Sequence, residues 1–443
     1  MRAVPLAEHG PARMTPAARI SAAIEVLEII ETRHRPAADA LKEWGQSHRF
    51  AGSKDRSAIG TLVFDALRHK ASSAYLLGAS DPRAVILGAL RQVGGLDVDA
   101  IAGLFTGDQY APAALSDAER ERLTTGSLDG APAHVRGDYP EWLAQGFEDA
   151  FGDHAVEEGR ALAERAPVDL RVNGLKGDRE KALKQISHLA PVATPLSRLG
   201  LRINIGADGR GPALAAEPAY VKGLVEVQDE GSQLMALLAG VQPGQQVLDL
   251  CAGGGGKTLA LAALMENRGQ IFATDSDGRR LMPIFPRLER AGARNVQVRA
   301  PRGPKDVLAG LEERCDVVLV DAPCTGTGAW RRNPDAKWRM RPGALEQRIK
   351  DQDEVLIRAA RYVKTGGALV YITCSVLRSE NEERVAAFLE HNDGWLPRDA
   401  AHMARMAALP ELGAHASPFG PGIRLSPRTT GTDGFYIAVL VKG

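Results

Sequence analysis

The C-terminal half of the sequence predicts an α/β fold, a doubly wound and mostly parallel sheet. An all-helical N-terminal domain and a small α+β domain are expected before it. Two observations carry this reading. From about Val227 onward, short continuous apolar runs alternate with helix-length segments, the pattern of strands covered on both faces. Before about residue 125, apolar residues recur only at helical spacing, with no strand-like alternation. A chain of 443 residues is too long for one ordinary core, and the expected boundaries are 1–130, 131–226 and 227–443.

The elements follow in order. Thr15-Pro16 reads as an N-cap with proline at the first helical position, continued by Ile20, Ile24, Leu27 and Ile30. A second helix is expected from about Asp55 to Tyr75, with Ile59, Leu62, Val63, Phe64 and Leu67 on its apolar face. Asp81-Pro82 opens a third over Ile86 and Leu90, and Ser116 to Glu119 is a capping box. After a Gly/Ala/Pro-rich break at 126–132 the pattern is mixed. Helices are expected from Tyr139, over 157–165 and over 181–189, with strands at Val168–Asn173 and Gly200–Ile205. The later strand candidates are Gln246–Leu250, Gln270–Thr274, Asn295–Val298, Asp316–Val320, Ala368–Ile372 and Phe435–Val441. The last follows a loop closely and is expected to run antiparallel.

Composition narrows the class. Charged residues make up 25% and apolar residues 44%, which is globular rather than disordered. No apolar run is long enough to span a membrane, and Met1 to Pro16 has no secretory apolar core. The four cysteines, Cys251, Cys315, Cys324 and Cys374, form no C-x-x-C pair and no zinc-spaced cluster. Free thiols in a reducing cytoplasm are expected, without a metal. The net charge is zero, yet Arg279–Lys305 carries a net +7 and Gly328–Lys350 a net +5. Such stretches suit a polyanion within a neutral whole; a merely solvated surface is the alternative.

The run Gln246 to Thr258 reads as strand, glycine loop and helix start. Gly253, Gly254, Gly255 and Gly256 let the backbone turn sharply and approach a ligand, alongside Cys251, Ala252 and Lys257. Asp275, at the end of the next strand, suits a ribose diol. A dinucleotide loop fails because Thr258 stands where its last glycine belongs, and a P-loop fails because Cys251 stands where its first belongs. S-adenosyl-L-methionine needs only close backbone approach and an acid for its ribose. The loop alone leaves all three ligands open.

Asp321-Ala322-Pro323-Cys324 and Thr373-Cys374-Ser375 each follow a strand candidate. Ligands bind outside the carboxyl ends of such strands, so neighbouring strands would bring both thiols to one rim. A lone cysteine is commonly a small packing residue, and Cys251 and Cys315 are read that way. A pair at corresponding strand ends fits a specific chemistry. A thiolate adding to carbon 6 of cytosine makes carbon 5 nucleophilic, and an acid near the ring, Asp321, stabilises developing charge.

The run Asp321 to Gly328 (DAPCTGTG), Thr373 to Ser375 with Glu380-Asn381-Glu382, and the DLCAGGGGKT loop resemble the Nop/Sun family of RNA 5-methylcytosine methyltransferases. The resemblance extends from Val227 to Ser232 and over Thr432 to Tyr436, and so covers the C-terminal half. It implies a Rossmann-like class I methyltransferase sheet, S-adenosyl-L-methionine as cofactor and RNA as partner. It implies Cys374 as nucleophile, Cys324 in product release, Asp321 at the target base and Lys257 in the cofactor loop. It also makes Lys337, in Arg331 to Trp338, a candidate substrate contact beside Arg331 and Arg332. DNA cytosine methyltransferases use the Pro-Cys thiol instead, so exchanged roles are the alternative. Four glycines replace the family's usual Ala-Pro-Gly-Gly, and the usual acid after the third strand is missing from Val298 to Arg302, the nearest being Asp306. Gly52 to Arg56 with Ala66 to Arg68 resembles the NusB-like RNA-binding domain of the bacterial ribosomal branch. The expected substrate is therefore small-subunit ribosomal RNA, modified by a monomer. Transfer RNA, an inactive ribosome-assembly factor and a P-loop-like ATPase are the competing readings.

Overall fold

The computed structural model describes residues 14–206, 211–301, 303 and 306–443. Arg302 and Lys305 of the first basic run, and the stretch before Met14, lie outside the described residues.

The N-terminal part is helical, as the apolar spacing requires. Thr15 caps the helix Pro16–Arg33 through its side chain, and Asp81 and Ser116 cap theirs likewise. Ile20, Val26, Ile59, Val63, Leu87, Phe105 and Leu123 share one apolar core within this part. The helix expected over residues 55–75 is instead two, Ser53–Arg68 and Lys70–Leu77, broken at His69 (φ −112°, ψ 32°). The break has a polar cause. The Leu67 and Arg68 carbonyls accept hydrogen bonds from Trp338 Nε1 (2.6 Å) and Lys337 Nζ (2.8 Å). Asp138 takes the Ser72 N–H (2.9 Å) that opens the next helix.

A four-stranded antiparallel sheet follows: β1 (Val168–Val172), β2 (Val192–Ala193), β3 (Gly200–Ile203) and β4 (Val225–Val227), ordered β2-β3-β1-β4. The sequence reading missed β2 and β4, which are short; β4 includes Glu226 in mid-strand.

The larger sheet comprises β5 (Gln246–Asp249), β6 (Gln270–Ala273), β7 (Val296–Val298), β8 (Cys315–Asp321), β9 (Val363–Thr373), β10 (Trp395–Pro397), β11 (Ile423–Leu425) and β12 (Phe435–Lys442). Its order is β10-β12-β9-β8-β5-β6-β7, with β11 on β12. β5 to β9 run parallel, and β12 runs antiparallel to β9 as expected. Alternate residues feed two apolar layers: Val247, Leu319, Val370 and Ile372 one, Leu248, Val318, Leu369 and Tyr371 the other. From β5 the chain winds outward through β6 and β7, then returns to β8 on the other side. The carboxyl ends of β5 and β8 therefore flank the crevice where strand order reverses.

Residues 328–338 join the parts. Trp330 stacks on Phe147 (centroids 5.7 Å apart, 13°), and Phe147 on Tyr139 (4.2 Å, 11°). Trp338 packs against the N-terminal helical core.

Candidate active site

The glycine loop connects β5 to the helix Gly256–Leu264. Gly253 (φ +50°) and Gly255 (φ +82°) hold left-handed backbone, and a Cβ on Gly255 would lie 2.4 Å from Ile284 Cγ1. Gly254 O accepts from Arg287 Nη1 (2.5 Å), and the Ala252 N–H donates to Thr274 O (2.8 Å). Asp275 is buried and accepts the Gly253 N–H at 3.0 Å, which sets its carboxylate beside the loop. Cys251 lies half-buried at the loop's start; burial, with the carboxylates of Asp249 and Asp321, pushes its thiol well up, so it stays protonated.

Asp249, at the end of β5, is buried. Burial raises its carboxyl to about 7, although Thr258 Oγ1 donates to Oδ2 at 2.6 Å; Oδ1 has no partner. Lys257 pairs with Asp321 (2.7 Å), its ammonium 5.4 Å from the Phe435 ring centre. Burial pulls Lys257 down, but Asp321 more than offsets this and the ammonium stays charged. The carboxylate of Asp321 thus occupies the lysine that a P-loop would turn to phosphates. The unpaired acidic oxygen below the loop, the acid beside it and the glycine approach fit S-adenosyl-L-methionine.

β8 and β9 pair in parallel with Asp321 opposite Ile372, so Cys324 and Cys374 leave the sheet at the same level. Their sulfurs lie 3.4 Å apart, both half-buried. The hydrogen bond to Cys374 and burial together hold the Cys324 thiol far above its ordinary range. Either sulfur can be the donor in this contact.

Both cysteines are braced from behind. Asn381 Oδ1 accepts from Thr373 Oγ1 (2.5 Å) while its Nδ2 donates to Ser375 O (3.0 Å), bracketing the Cys374 peptide. Glu380, fully buried, accepts from the Thr325 N–H (2.8 Å), the Thr325 hydroxyl and Gln352 Nε2 (3.0 Å), which fixes the turn after Cys324. The Gly328 N–H donates to Cys374 O (2.9 Å) and the Gly434 N–H to Gly328 O (2.9 Å). The sequence reading gives Glu380 and Asn381 no role; their place on the turn right after β9 was the available signal.

The three residues expected to contact substrate all have partners within the protein. Lys337 is buried, its ammonium donating to Arg68 O (2.8 Å) and Asp138 O (2.6 Å), so it is a strut between domains and no open contact. Arg331 pairs with Asp433 (3.0 Å), and Arg332 with Asp433 (2.5 Å) and Asp229 (2.8 Å). These partners lie about a hundred residues away in sequence, and they neutralise two of the seven cations of the second basic run. In the first run, Arg287 and Arg290 are similarly taken by Glu226.

Comparisons with known proteins agree with this geometry. Residues 235–441 match the 16S rRNA methyltransferase RsmB/F family, and residues 139–207 match the ferredoxin-like domain of RsmF/B-like methyltransferases. The chain is 31% identical over 305 residues to a probable ribosomal RNA small subunit methyltransferase B of Synechocystis, covering 69% of this chain and 67% of that one. It is 33% identical over 335 residues to ribosomal RNA small subunit methyltransferase B of Sodalis glossinidius, covering 75% and 69%. The crystal structure of PH0851 shares the fold over 97% of this chain and 99% of that one, with TM-score 0.71 and 23% identity. With its Rossmann-like sheet, ferredoxin-like insert and helical N-terminus, the chain belongs to the RsmB/F family of 16S ribosomal RNA methyltransferases.

Proposed function

We propose that the protein methylates carbon 5 of a cytosine in small-subunit ribosomal RNA, with Cys374 as covalent nucleophile. The observation that carries this is the pair of sulfurs 3.4 Å apart on one rim, beside the Lys257–Asp321 pair. Bound at the glycine loop, S-adenosyl-L-methionine supplies an electrophilic methyl group. Cys374, as thiolate, adds to carbon 6 of the cytosine, and the ring electrons gained make carbon 5 nucleophilic. Asp321, about a third exposed beside the cysteines, meets the polar edge of the base and is held by Lys257.

Cys324 then acts by turns as acid and base. Before the attack Cys324 stands within hydrogen-bond reach of Cys374, the two sulfurs 3.4 Å apart. Once Cys374 is bonded to carbon 6, its sulfur no longer carries a negative charge that opposes ionisation of Cys324. Cys324 can then give its proton to solvent and take the carbon 5 proton in its place. The electrons re-form the carbon 5–carbon 6 double bond, Cys374 leaves as thiolate, and the Cys324 proton receives it again.

The test uses labelled S-adenosyl-L-methionine with unmodified small-subunit ribosomal RNA and, separately, transfer RNA, and maps the modified base. Cys374→Ala should abolish transfer. Cys324→Ala should accumulate a protein–RNA adduct that survives denaturation. An adduct in the Cys374 variant instead would exchange the two roles, and label at another atom of the base would reject the reaction.

A further inference from the structure

Between the helix Ser53–Arg68, the start of β1 and the Arg331–Arg332 segment lies a cavity of about 500 Å³. Five arginines line it: Arg56, Arg68, Arg165, Arg331 and Arg332. Three have anions of their own, Arg165 on Asp65 (3.0 Å) and Arg331 and Arg332 on Asp433 and Asp229. Among the described residues, neither Arg56 nor Arg68 forms an ion pair.

Arg68 is the unusual one. It is 7% exposed, and its Nη2 donates to Arg331 O (2.8 Å), but its Nε and Nη1 have no partner. Burial pulls the guanidinium down to about 10, with Arg165 pulling the same way and Asp65 opposing. The buried Lys337 side chain hangs on the Arg68 carbonyl behind the cavity and brings no anion to it. Desolvated cations without a counter-ion are costly, and an anion entering the cavity would relieve that cost. At the mouth, Arg56 is exposed and uses only Nε, on Ala51 O (2.9 Å). Guanidinium groups suit phosphate oxygens. The cavity wall is also continuous with the site, because Asp433, which holds Arg331 and Arg332, precedes Gly434, whose N–H bonds the Gly328 that backs Cys374.

We infer that this cavity seats a phosphodiester of the RNA substrate, with Arg56 at the mouth and Arg68 beneath it, so that the strand is gripped between the helical N-terminus and the catalytic sheet. The inference rests on the RNA reading above and adds a binding site to it.

The test measures affinity of the full chain for a small-subunit ribosomal RNA transcript across a salt series, with methyl transfer followed in parallel. Arg56→Gln, at an exposed position, should weaken binding severalfold at low salt and lower the slope of log affinity against log salt by about one. Gly60 also lines the cavity and a Cβ there meets only Leu41 at 3.8 Å, so a side chain fits. Gly60→Asp should show a slope about one below that of Gly60→Asn, which separates charge from bulk. Melting curves establish that the variants fold. Equal slopes for Gly60→Asp and Gly60→Asn in folded protein, with methylation intact, would overturn the cavity assignment alone. Inorganic phosphate protecting the wild type against thermal unfolding while RNA slopes stay equal would make it a small-anion pocket and likewise overturn it. Lowered slopes in a protein that methylates no RNA would support the cavity and remove the methylation reading instead.

Discussion

Replacing Lys337 by methionine separates two effects that usually travel together. The ammonium donates to Arg68 O and Asp138 O, so removing it leaves two buried carbonyls without a donor. Each such loss costs about 1–3 kcal/mol, at every pH. The ammonium itself is a burden, because burial pulls it from 10.5 to about 7, with Asp138 pushing up and Arg68 down. Between about pH 7 and the unfolded value of ~10.4, the unfolded chain holds a proton that the folded protein lacks. Stability must therefore rise with pH through this window; the penalty is fully present below about pH 7 and gone above the unfolded value. One full proton is worth about 1.4 kcal/mol per pH unit, so wild type should gain roughly 2–3 kcal/mol from pH 7.5 to 9.5 relative to Lys337→Met. Urea denaturation followed by tryptophan fluorescence reads this directly, since Trp338 lies 5.0 Å from the ammonium. Lys337→Met should be less stable at pH 9.5 by more than at pH 7.5. A stability difference that stays constant over the window would show that Lys337 keeps its proton in the fold, and the argument from burial would fail.

Three further outcomes follow from the site. Asn381→Ala should lower kcat about 10- to 100-fold with little change in the KM for RNA, since it releases the bracket around the Cys374 peptide; steady-state kinetics decide, and a change confined to KM would contradict a positioning role. Gly255→Ala should destabilise by about 2 kcal/mol or more and weaken S-adenosyl-L-methionine binding at least tenfold by calorimetry, because it meets both left-handed backbone and Ile284. Glu380→Gln should slow the release of methylated RNA more than adduct formation in single-turnover experiments, since its carboxylate fixes the Cys324 turn.

Much of the catalytic sheet was legible because its strands are buried on both faces, which writes them as continuous apolar runs. The cysteine pair was legible for the same reason: Pro-Cys and Thr-Cys each close such a run, and parallel pairing does the rest. The charged residues were not. Arg331, Arg332 and Lys337 read as open positive charge until the fold brings Asp229, Asp433 and two carbonyls against them. Local spacing carries no trace of partners one to three hundred residues away. The break at His69 was hidden likewise, since Leu62, Val63, Phe64 and Leu67 keep helical spacing up to it and the competing donors come from residues 337 and 338.

The segment that starts behind Cys374 at Gly328 ends with Trp338 in the N-terminal helical core. Its two ends make the helical bundle part of the support beneath Cys374, the proposed nucleophile, rather than a detachable accessory. A fragment beginning at the larger sheet would keep the glycine loop and both cysteines, yet the rung under Cys374 would hang free at one end.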